Sequence, residues 1–141
     1  MSGPALVKKD SHHAIHEAAL NEASELTDLL KRMVKGSADS TNIIETAYIL
    51  VEHWETRTLA HATAEEEGLY LQKVEEFPEL TEKVNELKKE HDLLRQFIHE
   101  IKDLLPKSGV NTEVLSRFDK LLTVDEIHND KEENELLEYG R

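Results

Sequence analysis

Apolar residues recur along this chain every three or four positions in four long stretches, the spacing expected of helices that bury one face. The first stripe reads His12, His16, Ala19, Ala23, Leu26, Leu30 and Met33, and the second Ile43, Ala47, Leu50, Val51, Trp54, Thr58, His61, Glu65 and Leu69. The third reads Val84, Leu87, His91, Leu94, Ile98, Ile101 and Leu105, and the fourth Val114, Phe118, Leu121, Val124, His128, Glu132 and Leu136. Helix breakers lie between them. Pro4, at a first-turn position after Ser2 and Gly3, opens the first helix, and Gly36-Ser37-Ala38-Asp39-Ser40 closes it near Lys35. Phe77-Pro78 ends the second helix, and Pro106-Lys107-Ser108-Gly109 stops the third after Leu105. The predicted helices cover about 4–35, 41–76, 79–105 and 111–138. Connections this short force sequential helices to run antiparallel. The expected fold is all-α, an up-down-up-down four-helix bundle forming one domain over residues 1–141.

Polar residues interrupt every stripe. His61 with Glu65 and His128 with Glu132 are each one helical turn apart, so imidazole and carboxylate leave the same face about 6 Å apart along the axis. Spacing alone is weak support: 8 histidines and 22 glutamates would give about one His-x-x-x-Glu pair by chance, and the chain has three. Position decides between them. The third pair, His13 with Glu17, lies off its stripe and reads as solvated, whereas the other two fall on faces that must be buried. An inward imidazole or carboxylate without a partner costs several kcal/mol.

The remaining helices offer partners. The third places His91 in its stripe, and the first offers His12 or His16. An ungapped alignment of the segment from His91 to Leu105 with that from His16 to Leu30 matches His, Glu, Asp and two leucines, making His16 the counterpart of His91; a competing register favours His12. The inward set is then His16, His61, Glu65, His91, His128 and Glu132, with His12 as the alternative to His16 or as an added histidine. Nitrogen and oxygen donors without thiolate suit iron or manganese at a dinuclear centre, and also zinc. His53 and His99 sit beside their stripes, and Glu66, Glu133, Asp125 and Glu126 have weaker claims.

Composition narrows the chemistry. The chain has no cysteine, which removes disulfides, thiol catalysis and thiolate metal sites. Its net charge of -13 argues against nucleic acid and anionic membranes as partners, while scarce Gly, Pro and aromatics favour long helices. No apolar run spans a bilayer and no signal-peptide pattern opens the chain, so a cytoplasmic location is expected.

Four pieces in order carry a family resemblance over almost the whole length: Asp10-Ser-His-His-Ala-Ile-His16, His61-x-x-x-Glu65-Glu66-x-x-Leu69-Tyr70, Glu90-His91-Asp-Leu-Leu94, and His128-x-x-x-Glu132-Glu133-x-x-Leu136. They resemble the hemerythrin-like, or HHE cation-binding, family. The proline that usually follows the leucine-aromatic pair is absent, with Leu71 and Glu138 near those places. The resemblance implies a non-haem di-iron centre bridged by Glu65 and Glu132, taking dioxygen, peroxide or nitric oxide as its small-molecule ligand. Oxygen-carrying hemerythrins have five histidines, the fifth from a His-x-x-x-His pair on the third helix. Here that helix has His91 and Arg95, while His12 and His16 form the equivalent pair on the first helix. The expected division is His12, His16 and His61 on one iron, and His91 and His128 on the other. Reaction with, or reversible binding of, dioxygen or a related small oxidant is the leading expectation. The alternatives are an iron- or oxygen-responsive sensing or storage module, and detoxification of peroxide or nitric oxide with weak peroxidase- or catalase-like activity. No feature of the sequence points to a protein partner.

Overall fold

The computed structural model describes residues 9–140, and over them the chain is helical throughout, arranged as four rods. The first rod is α1 (Lys9–Lys35); the expected start at Pro4 lies outside the described residues. The second is composite: α2 (Ser40–His53), a π-helical turn (Trp54–Leu59), α3 (Ala60–Glu67) and, after Gly68, α4 (Leu69–Glu76). The third is a 3-10 turn (Pro78–Leu80) leading into α5 (Thr81–Ser108), and the fourth is α6 (Thr112–Lys131) continued by a π-helical turn (Glu132–Leu137). The first rod packs on the second and fourth, and the third packs on the same two. Among the described residues no helix is long and apolar enough to cross a membrane.

The boundaries follow from local chemistry, not always where the breakers stand. After α1 it is Ser37, not Gly36, that adopts the left-handed conformation (φ 58), with Ala38 N donating to Met33 O at 2.9 Å. That bond closes the six-to-one turn in which helices commonly end. Pro106 does not stop the third helix. It sits in the last turn of α5, where its ring and missing N–H disturb little of the remaining ladder, and the stop falls on Gly109, at φ 68 with its N–H on Leu105 O. Asn111 caps α6 by accepting the Val114 N–H at 3.0 Å.

The core is in two parts. One cluster includes Leu30, Leu50, Trp54, Leu94, Ile101 and Phe118; the other comprises Leu69, Tyr70, Leu80, Val84, Leu87, Leu136 and Leu137. Along α5 all seven stripe residues are buried, and His91 falls between Leu87 of one cluster and Leu94 of the other. On α6 the buried position is Asp125 instead of the expected Val124, which is only half-buried. Polar side chains from all four rods fill the gap between the two apolar clusters.

Candidate metal centre

Each rod delivers its ligand-type residues by its own periodicity. α1 supplies His12 and His16, one turn apart; α3 supplies His61 and Glu65; α5 supplies His91; and α6, running into its π turn, supplies His128 and Glu132. All seven residues expected at the site converge in two groups, His12, His16, His61, Glu65 and Glu65, His91, His128, Glu132, each with its donor atoms within 4.8 Å of one another. His12 and His16 are both buried, so the structure brings in His12 as well as His16.

The two carboxylates span the groups. Glu65 turns Oε2 toward His12 Nε2 (2.6 Å) and His61 Nε2 (3.3 Å), and Oε1 toward His91 Nε2 (3.3 Å). Glu132 turns Oε1 toward His12 and His16 Nε2 (3.3 Å to the latter), and Oε2 toward His128 Nε2 at 3.4 Å. Glu65 is 1% exposed and Glu132 is fully buried. Among the described residues, the buried Nε2 atoms of His61 and His128 have no hydrogen-bond partner. Two orphaned imidazole nitrogens beside two buried carboxylates fit a pair of cations that share both carboxylates.

Charge holds the cluster together without metal. Burial alone would strip the proton from His16, but the carboxylates of Glu132 and Glu65 override it and raise the imidazole to about 11. The same contest, burial against Glu132 and Glu65, raises His12 to about 9; for His128, Glu132 and Glu90 win by a similar margin, to about 9. Burial and the neighbouring Glu65 push Glu132 upward, yet its histidine contacts hold it down near 2. Glu65 is likewise lowered, against burial, by its contacts with Glu132, His12 and His16. The metal-free centre is therefore a compact set of imidazolium–carboxylate pairs.

A ring of outer carboxylates fixes the imidazoles. His16 Nδ1 donates to Glu133 at 2.8 Å, His91 Nδ1 to Glu66 at 2.7 Å and His128 Nδ1 to Glu90 at 2.7 Å. With Nδ1 so committed, each Nε2 is directed inward. Arg95 holds Glu66 at 3.1 Å, and Lys131 holds Glu90. Tyr70 donates to Glu132 Oε2 and stacks on the His91 ring at 5.5 Å and 7°. Burial and the adjacent carboxylates raise its phenol well above the usual range, so it keeps its proton.

From the sequence Glu66 and Glu133 have only weaker claims, and no role is expected for Glu90 or Tyr70. The signal was present for the first two: they occupy the same place in both acidic motifs, one residue past Glu65 and Glu132. Glu90 lies off the α5 stripe and becomes visible only once the fourth rod packs beside it. His53 is buried, not superficial, and its Nε2 donates to Ala19 O at 2.9 Å, tying the second rod to the first outside the centre. His99 and His13 are exposed, though His13 also reaches Glu133 at 2.8 Å.

A cavity of about 490 Å³ reaches the centre, touching His16, His61, His91 and His128. Part of its wall comes from Thr56, Arg57 and Thr58 of the π turn, and part from Asp125, a buried carboxylic acid that desolvation raises to about 6. π turns recur at functional sites because the extra residue breaks the helical register there. The family model described as hemerythrin HHE cation-binding domain matches residues 8–139. The curated proteins and the solved structures gave no match.

Proposed function

The chain belongs to the hemerythrin HHE cation-binding family, and from that premise we propose that it holds two iron ions between its apolar clusters and reacts with, or reversibly binds, dioxygen or a related small oxidant. The observation that carries the reading is the pair of carboxylates. Glu65 and Glu132 each offer one oxygen to the His12, His16, His61 side and the other to the His91, His128 side. A bridging carboxylate requires that disposition. His12, His16 and His61 would hold one ion and His91 and His128 the other. The donors would also accept manganese or zinc. Iron would supply the electrons for reduction of a bound oxidant.

The remaining work belongs to the protein. Glu133, Glu66 and Glu90 anchor the Nδ1 protons, Tyr70 orients Glu132, and the apolar clusters above and below exclude water. The cavity touches residues of both histidine sets, so a small molecule can approach without displacing a side chain. Such an opening also favours turnover of peroxide or nitric oxide over long-lived oxygen carriage, which is the second reading. A module that signals by folding around iron is less favoured, because the imidazolium–carboxylate pairs already satisfy much of the metal-free centre. The short connections between rods and the packing of each rod on two others support the antiparallel up-down-up-down order. The acidic composition fits a cytoplasmic protein.

The test is anaerobic Fe(II) loading followed by dioxygen and then peroxide, watched by visible absorption. A band that forms with dioxygen and vanishes under vacuum identifies carriage. Steady loss of added peroxide identifies turnover. An iron-loaded protein whose spectrum answers neither oxidant contradicts the reading.

A further inference from the structure

Threonines in helices usually return their hydroxyl to the carbonyl one turn back, and this chain follows the habit. Thr27, Thr46, Thr56, Thr63 and Thr123 each donate to the carbonyl four residues earlier, at 2.7 to 3.2 Å. Thr58 does not. Its hydroxyl oxygen is buried and, among the described residues, has no hydrogen-bond partner. It lies in the π turn Trp54–Leu59, three residues before His61, and forms part of the wall of the cavity that reaches the centre. A buried hydroxyl with no protein group to serve is uncommon enough to require a reason.

We infer that Thr58 is the residue that recognises the exogenous ligand, donating a hydrogen bond to an anionic or strongly accepting atom held in the cavity beside the metal pair. The inference rests on the di-iron reading above and adds a ligand class to it. A helical threonine has two accessible χ1 rotamers, and passing between them moves the hydroxyl while leaving the helix in place. The other neutral groups of the wall are apolar or engaged: Ile15, Ala18, Ala19 and Ala60 are apolar, Thr56 spends its hydroxyl on Glu52 O, and the Asn129 amide is hydrogen-bonded to the Asp125 carboxyl, while the charged Arg57 is held by Glu22 at 3.1 Å. Peroxide, superoxide and azide present an acceptor atom that this hydroxyl can serve. Nitric oxide, a weak acceptor, gains little. Thr58 thus tilts the centre toward reduced oxygen species and pseudohalide anions.

Azide is the probe, with Thr58→Val, Thr58→Ala and Thr58→Ser prepared alongside the wild type. Iron per chain and metal-free melting are measured first, then azide affinity and the azide infrared stretch of the iron-loaded protein. The Val variant should load iron as the wild type does, bind azide about tenfold more weakly, as loss of one hydrogen bond to a charged ligand implies, and shift the azide stretch. Ser should restore both. Nitric oxide affinity should change less than azide affinity. Without metal, Val should melt no lower than the wild type, because it removes a hydroxyl that has no protein partner; a purely structural threonine would show a lower melting temperature in Val and Ala and an unmoved stretch. Should Val fail to fold, Ala supplies the same comparison. Equal azide affinity and an equal stretch in iron-loaded wild type and variant overturn the inference and leave the di-iron reading standing. A wild-type chain that takes up no iron overturns both.

Discussion

Three histidines of the centre carry protons that a metal must displace. His12, His16 and His128 lie near 9, 11 and 9 because, despite burial, the facing carboxylates favour imidazolium. At pH 7 all three are protonated in the metal-free protein, so loading should release about three protons and strengthen steeply as pH rises toward 9. A weakly buffered titration with an indicator dye counts them, and release of fewer than one would contradict the charge state described. The effect on stability has a definite sign. A pKa raised above the unfolded 6.5 stabilises fully below 6.5 and less as pH climbs through 9 to 11. Metal-free protein should therefore melt progressively lower above pH 7. Asp125 behaves oppositely. Burial raises it from 3.8 to about 6, so its ionised form is the penalised one and the cost is complete above pH 6. Asp125→Asn should stabilise metal-free protein by about 1 to 3 kcal/mol at pH 7 and give no gain at pH 4. Thermal melts at the two pH values decide it. That Asp125 would be buried was hard to read from the sequence, because Val124 next to it is the better apolar choice for the stripe.

At the scale of elements, α5 shows the conditions under which a sequence is legible. It is uninterrupted up to the cavity and beyond, and every residue of its expected stripe is buried. The second and fourth rods carry π turns, each adding a residue that the three-and-four spacing does not anticipate, and there the buried face drifts: Glu132, Glu133, Leu136 and Leu137 are all buried in the fourth. His61-Glu65 and His128-Glu132 survived because each pair spans one turn and moves as a unit. The turn at Trp54–Leu59 sets the angle at which α3 presents His61 and Glu65. Deleting Arg57 should let the rod close into regular α-helix and rotate those two residues by about 100° relative to α2. Circular dichroism should show retained helix while iron per chain falls. Undiminished iron binding by the deletion variant would mean that the turn does not aim the site.

Over the whole molecule, the polar layer between two apolar clusters separates stability from binding. Ile101 lies in the cluster distant from Tyr70 and is fully buried, so Ile101→Ala should cost about 2 to 5 kcal/mol without changing the number of ions bound. Denaturant unfolding and metal counting on the same sample check the separation. The four-rod architecture and the seven inward residues were legible because long helices with tight breaks leave few ways to pack. The outer carboxylates and the cavity were not, since they depend on how neighbouring rods turn toward one another. We propose above all that Glu65 and Glu132 join two iron ions inside this bundle. The most direct test is iron counted per chain after anaerobic loading and desalting, in wild type and in a Glu65→Ala, Glu132→Ala double variant. About two ions per wild-type chain are expected, and fewer than one in the folded variant. A wild-type count near zero, or an unchanged count in the variant, would contradict the proposal.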